Sequence, residues 1–410
     1  MDNPLIFIPG LFGSMGNDVI RGTGEFSFGL ASKIYVPFIK TLLSMGYIEN
    51  QSLFIAFYDW KNTCEFSSEK YLIPTIEKAK RISSSKKVNL ICHSMGGLVA
   101  RAYIQGKRYR NDVDKIIMIG TPNSGVVKSY YFWGGGKIPY FDLEENLLYK
   151  GFKAGLGIYF KIFKKMDYVN LLRETFPGVR DLLPSNEYGN YLILKGQEKD
   201  KFIPVRNMNS QNVFLNDLSK ERLKNFETYL ISGIGKRTSK YLTVEYDKYK
   251  NEWTDGKPEF ALVTNLGDGT VTLNSSSAFC GEKIEIKGDH GDILCGSRDY
   301  ISDILGKRRA AEIPTEKMEC IYVLISSNIN RADIAANMED SKISTQFLEE
   351  NHYLSFLYAD KKEDFNIFLN PIKEKDARAV LIYIDNKNEI KILFNKNINK
   401  KVFLTKESLI

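Results

Sequence analysis

Histidine is almost absent from the chain, and cysteine is present without organisation. Only His93, His290 and His352 occur in 410 residues. Chemistry that needs an imidazole near neutral pH therefore has few positions to use. The five cysteines, Cys64, Cys92, Cys280, Cys295 and Cys320, are odd in number and form no C-x-x-C pair. That spacing speaks against a disulfide framework or a cysteine zinc site, so no metal or cofactor is expected. Cys280 and Cys295 are the one pair near enough in sequence to invite a bridge, and spacing leaves their redox state open. No G-x-x-x-x-G-K-[ST] is present, which excludes a P-loop. No apolar run is long enough to cross a bilayer. The strand-like PLIFIPG begins at Pro4 and leaves no room for a signal peptide. A cytoplasmic protein is expected, with a trimmed mature form of a secreted one as the alternative.

What is present is a chain with 43% hydrophobic residues, enough for a large core and a second domain. Its net charge of +7 is diffuse and comes with no nucleic-acid motif, so no nucleic-acid partner is expected. Apolar runs LIFIPG (5–10), LFIAFYDW (53–60), VNLICHS (88–94), KIIMIGTP (115–122), TYLISGIG (228–235) and KIEIKGD (283–289) alternate with segments of helical period at 66–82 and 95–107. Near-continuous apolar strands bounded by Gly, Pro or Asp suit a parallel sheet buried on both faces. The fold class expected is α/β, a doubly wound, mostly parallel sheet with its chemistry at the carboxyl ends of the strands. About a hundred residues separate the fourth run from the fifth, more than a crossover needs, and predict a helical cap insertion at about 126–225. Beyond the helix-like DYISDILGKRRA the chain turns strand-rich, which predicts a catalytic domain over 1–309 and a mostly β domain over 310–410.

The stretch VNLICHSMGGLVA sets Ser94 between a β-branched run and a glycine-rich helix start. A serine on such a strand-to-helix turn is projected from the tip, and small neighbours let strand and helix cross closely. Gly96 and Gly97 supply the later small positions, while Cys92 stands where the G-x-S-x-G pattern has its first glycine. The alternative is a structural serine capping a helix. Ser94 as a nucleophile needs a base. His93 adjoins the serine and should point elsewhere, and His352 lies in the C-terminal region. His290, in the glycine-bounded loop after the last core run, is the base expected. Asp268, in the GDG turn between the last two core runs, completes the order Ser, Asp, His and would hold the imidazole tautomer. Gly267 and Gly269 are expected to permit a positive φ there. Asp289 and Asp292, the rivals, sit too near His290 in sequence to fold back on its ring. An oxyanion hole would use the N–H groups of Met95 and Leu11, with Phe12 next in line.

IPGLFGS, FYDW, CHSMGGLVAR, GTPNSG, FPGVRDLLP, FLNDL, GDGTV and DHGDIL, in that order, resemble the lipase and lecithin:cholesterol acyltransferase-like branch of the α/β-hydrolases. The resemblance spans roughly residues 4 to 305 and implies a serine esterase or acyltransferase with Ser94, Asp268 and His290 as triad. It also implies Leu11 and Met95 at the oxyanion hole. Related lipases carry alanine at the position of Cys92, so a small substitute is tolerable.

Within the insertion, SYYFWGGGKIPYF offers Gly134, Gly135 and Gly136 as a hinge. KGFKAGLGIYFKIFKKM sets Phe152, Leu156, Tyr159, Phe160, Phe163 and Met166 along one helical stripe, with lysines largely opposite. Such a helix can lie in a membrane interface, or pack on a core with a solvated lysine face. The expected activity is hydrolysis of carboxylic esters of lipids through an acyl-enzyme on Ser94. Acyl transfer to an alcohol, amide hydrolysis and a non-catalytic binding module are the other readings.

Overall fold

The computed structural model describes residues 3–16, 26–28, 31–136, 150–151, 154–159, 168–196, 199–218, 225–245, 253–311, 313, 319–336, 343–349, 351–359, 364–372, 375–385 and 389–409. Two compact units emerge. The first combines Met1–Leu11, Ile34–Pro139 and Val169–Pro314; the second combines Phe12–Lys33, Tyr140–Tyr168 and Thr315–Ile410.

The first unit is built on six strands. Their spatial order is Glu282–Lys287, Glu227–Ile234, Val113–Ile119, Val88–His93, Leu5–Ile8 and Leu53–Ile55. Every pairing in this sheet is parallel. All residues of Leu5–Ile8 and Val88–His93 are buried, which is why these two strands read as unbroken apolar runs. Burying each such Ile, Leu or Val side chain contributes roughly 1.5–3 kcal/mol. The edge strand Glu282–Lys287 instead alternates, with its charged residues outward. In the helix Ser32–Ser44, Tyr35, Phe38, Ile39 and Leu42 are buried, the spacing of one helical face.

Chain order gives the sheet its switch point. From Leu5–Ile8 the chain goes outward to Leu53–Ile55 and then returns to the other side at Val88–His93. The carboxyl ends of the first and third strands therefore lie side by side, where open α/β sheets place their ligands.

The insertion is not simply helical. It holds the helices Ser129–Gly135, Tyr168–Thr175 and Val213–Leu218, but also the strands Leu192–Leu194 and Lys201–Ile203. These join Thr238–Glu245 and Lys257–Thr264 in a second sheet. Leu192, Leu242 and Val244 turn one face of that sheet onto Tyr130, Tyr191 and Trp253. Three-residue strands carry too little alternation to be read from sequence. The triple glycine is a packing site rather than a hinge. A Cβ on Gly135 would come within 2.1 Å of the Trp253 indole, and Gly136 ends the helix at φ 62°.

Several family-like motifs prove to be joints of this unit. Trp60 stacks on Phe176 at 5.4 Å, and the Cys64 N–H donates to Asp181 Oδ2 at 2.7 Å. Asn212 Nδ2 donates to the carbonyls of Asp181 and Leu183. Burial pushes the Asp181 carboxyl up to about 6, against the pull of the Cys64 N–H.

The second unit contains a five-stranded and a three-stranded sheet. The larger runs Ile343–Glu349, His352–Ala359, Cys320–Ser327, Ala377–Asp385 and Ile390–Ile398; the smaller runs Ile329–Ala336, Phe365–Pro371 and Val402–Thr405. Cys320, Tyr322 and Leu324 face Phe365, Ile367 and Leu369 of the smaller sheet. The alternate residues Ile321 and Val323 meet Gly151 and Gly155 of a segment helical at 150–151 and 154–159. That double cover explains the uninterrupted CIYVLISS run. Leu156 and Tyr159 are buried, and Tyr159 packs edge-on against His352, a packing residue of this unit. Phe152, Phe160, Phe163, Met166 and the lysines at 153, 161, 164 and 165 lie outside the described residues. Among the described residues no helix is long and apolar enough to cross a membrane, and no cluster suited to a metal ion occurs.

Candidate active site

Ser94 is the one residue between Val88 and Ala100 that is not buried. It joins the strand Val88–His93 to the helix Met95–Ile104 with φ 51° and ψ −127°. A backbone of this kind costs a non-glycine residue about 1–3 kcal/mol and persists only where its surroundings dictate it. Here the surroundings are the two glycines. A Cβ on Gly96 would lie 2.3 Å from the Ile8 carbonyl oxygen, and one on Gly97 would lie 2.0 Å from Thr121 Oγ1. The helix start is thus pressed against the first strand on one side and the loop after the fourth on the other. Cys92, paired between Ile8 and Met118, is wholly buried, and burial drives its thiol well up from its ordinary value. It fills a small interior place and offers no thiolate.

These contacts predict a contrast. Gly96→Ala meets backbone, whereas Gly97→Ala meets only a side chain. Gly97→Ala should therefore recover soluble yield and melting temperature when combined with Thr121→Gly, and Gly96→Ala should not recover with any side-chain change. The expected single-variant loss is about 1–3 kcal/mol or more by thermal melting. Equal rescue of both would refute the packing argument.

The predicted base and acid meet each other, and the base ring lies against that of His93. His290 Nδ1 lies 2.7 Å from Asp268 Oδ2, with the two side chains 19% and 1% exposed. Asp268 Oδ1 accepts the N–H groups of Thr270 and Val271 at 2.8 and 2.7 Å. Gly269 has the expected positive φ of 91°; Gly267 does not, and is required because a Cβ would strike Thr238 Oγ1 at 2.5 Å. Asp289 Oδ1 accepts the N–H groups of Gly291 and Asp292, so it caps the following helix and leaves the ring to Asp268. The His290 ring is 4.7 Å from that of His93, the residue before Ser94. Leu11 follows Gly10, and a Cβ on Gly10 would lie 2.8 Å from Ser94 Cβ, so the loop passes directly over the elbow. Met95 is the first residue of its helix, where the N–H has no intrahelical partner. Phe12 adopts φ 63°.

Sequence reasoning missed several residues that shape this place. Gly120, at φ 57°, leaves room for the His290 ring, whose Cε1 would be 3.1 Å from an added Cβ. Gly233 does the same for Asp268, 2.5 Å from its Cβ. Arg101 is buried and donates to the carbonyl of Asn123 at 2.6 Å, while Asn123 Nδ2 reaches the Ser276 carbonyl. Tyr58 donates to the Pro9 carbonyl at 2.9 Å. His93 is held neutral, its pKa driven down by burial and then by the charge on His290. Gly120 and Gly233 stand at or near the ends of the apolar runs KIIMIGTP and TYLISGIG, where a close approach could have been read; Tyr35 carries no local signal.

The parallel sheet, the strained turn at Ser94 by its switch point and the Asp268–His290 pair are the architecture of the α/β-hydrolase fold. Residues 23–145 match the family model for lecithin:cholesterol acyltransferase. The matched span includes Ser94 and ends before Asp268 and His290. No curated protein matches the sequence. Among solved structures the chain is similar to Bacillus licheniformis lipase BlEst2 in its mature form, at 13% identity over 74% of this chain and 92% of that one, TM-score 0.41. Its propeptide form gives 12% identity over 95% and 96%, TM-score 0.41. The lin2722 gene product of Listeria innocua gives 13% identity over 76% and 97%, TM-score 0.37.

Proposed function

We propose that the protein is a serine ester hydrolase acting on carboxylic esters of lipids, with Ser94 as nucleophile. The observation that carries this reading is the half-exposed, strained Ser94 beside a histidine whose Nδ1 is already engaged by a buried carboxylate. With Asp268 accepting the Nδ1 proton, the free Nε2 of His290 is a base. It takes the serine proton as Oγ attacks the ester carbonyl, and returns it to the leaving alkoxide. The N–H groups of Leu11 and Met95 would face the oxyanion, a contribution of about 3 kcal/mol per donor. Water, activated by the same imidazole, then releases the acid. Neither metal nor cofactor takes part in this scheme.

Acyl transfer to an alcohol is the second reading, and the lecithin:cholesterol acyltransferase match over residues 23–145 favours it. Contact with a membrane surface through the basic segment near residues 150–166 belongs to the same proposal. The test is a chain-length panel of chromogenic esters, run with and without an acceptor alcohol, alongside fluorophosphonate labelling and peptide mass mapping. A phosphonyl adduct on the peptide containing Ser94 and release of free acid support hydrolysis. An ester product in the presence of acceptor supports transfer. A folded protein that takes up no label sinks both.

A further inference from the structure

We propose that Tyr35 and His93 form a proton-polarised strut that positions the oxyanion loop and the base loop on either side of Ser94. Four groups are linked in series. The Gly10 N–H donates to Tyr35 Oη at 2.9 Å; Tyr35 Oη lies 2.8 Å from His93 Nδ1; and His93 Nε2 lies 2.9 Å from the carbonyl oxygen of His290.

The two ends fix every proton between them. A carbonyl only accepts, so His93 Nε2 carries the proton. A neutral imidazole has one N–H, so Nδ1 presents a lone pair and the tyrosine hydroxyl donates to it. A backbone N–H only donates, so the hydroxyl oxygen accepts from Gly10. Within this series Tyr35 and His93 each donate once and accept once, the one arrangement a neutral ring allows. Tyr35 and His93 are both buried, so water does not compete for these bonds.

The strut spans the parts of the site that come from different strand ends. Gly10 precedes Leu11, His93 precedes Ser94, and the anchored carbonyl belongs to His290 itself. Three segments far apart in sequence are thereby set by one chain of hydrogen bonds, and the spacing of oxyanion donor, nucleophile and base follows from it. The rings reinforce the alignment: Tyr35 meets His93 edge-on at 5.6 Å, and Phe7 packs on Tyr35 at 5.4 Å. Neither Tyr35 nor His93 is assigned contact with the reacting atoms; both are positioning residues. The role rests on the reading of Ser94, Asp268 and His290 as the catalytic set.

Two measurements test it. The first needs no variant: with three histidines in the chain, ¹⁵N-histidine NMR resolves each ring. His93 is expected as the Nε2–H tautomer with Nδ1 unprotonated from mildly acidic to mildly alkaline pH. An Nδ1–H tautomer or a titrating His93 overturns the strut whatever the protein's activity. The second is a double-mutant cycle on a short chromogenic ester, with folding followed by thermal melting. His93→Leu removes both the acceptor for Tyr35 and the donor to the His290 carbonyl; Tyr35→Phe breaks the link to His93 from the other side and leaves the Gly10 N–H without its acceptor. Each is expected to lower kcat about tenfold with KM held within about twofold, and the pair to do no worse than either alone. Independent, additive losses, or a Tyr35→Phe variant with wild-type kcat, overturn it. Ser94→Ala run in parallel separates the two levels. Full activity there would defeat the catalytic reading, while the tautomer measurement still decides the strut.

Discussion

Ser94→Ala is expected to retain no more than about one part in 10⁵ of the wild-type kcat for ester hydrolysis, because the members of such a unit fail together. The substitution is well suited to the question. Alanine keeps the serine Cβ, so the contact with Gly10 and the backbone at φ 51° are unchanged. Gly96 and Gly97 still dictate the turn, and the Asp268–His290 pair is untouched. Melting temperature should therefore stay within a degree or two of wild type, equivalent to less than about 0.5 kcal/mol. What disappears is the oxygen proposed to form the acyl-enzyme. Residual turnover of about 10³–10⁴ over water can persist through oxyanion donors and binding alone. Initial rates on a chromogenic ester, with the fluorophosphonate label as a second readout, check the expectation. Activity above about one per cent of wild type would remove Ser94 from the role of nucleophile.

How much of this was legible in sequence depends on the range of the signal. The six core runs announced the parallel sheet because strands covered on both faces must be apolar throughout, as at Leu5–Ile8 and Val88–His93. Ser94 was legible from its neighbours, since Gly96 and Gly97 meet the Ile8 carbonyl and Thr121 and tolerate no side chain. The contact between His290 and Asp268 was legible from the scarcity of histidine and from order along the chain. The short strands Leu192–Leu194 and Lys201–Ile203 were not, because three residues fix no period. Gly135 looked like a hinge because sequence shows its lack of a side chain and hides the Trp253 ring that needs the space. Strands Ile329–Ala336 and Ile343–Glu349 carry little signal, because INRADIAA and ISTQFLE mix polar and apolar residues without a clean alternation. Tyr35 and His93 belong to the same class of omission. Their partners lie 25 and 197 residues away, and nothing local records them.

Asp268→Asn is expected to lower kcat by about 10⁴ with little change in stability, and the hydrogen bonds of the carboxylate state why. Oδ1 is held by the Thr270 and Val271 N–H groups, which can only donate. An asparagine in this place must therefore turn its carbonyl oxygen to those two donors. Its amide nitrogen then faces His290 Nδ1 at the position Oδ2 occupied. That nitrogen donates, so Nδ1 must present a lone pair and the ring proton moves to Nε2. The imidazole is then in the tautomer that cannot accept a proton from Ser94. Stability is preserved because both backbone donors keep an acceptor. Asp268→Ala makes the complementary point. It leaves two N–H groups with no acceptor, at about 1–3 kcal/mol each where they are buried, and it should lower the melting temperature as well as kcat. The two variants separate orientation from support: ¹⁵N-histidine spectra of the asparagine variant should show His290 protonated at Nε2, with kcat down by about 10⁴ and melting unchanged. If its His290 keeps the proton on Nδ1, or if kcat stays within about tenfold of wild type, then Asp268 is a turn-forming residue and the acid of the site lies elsewhere.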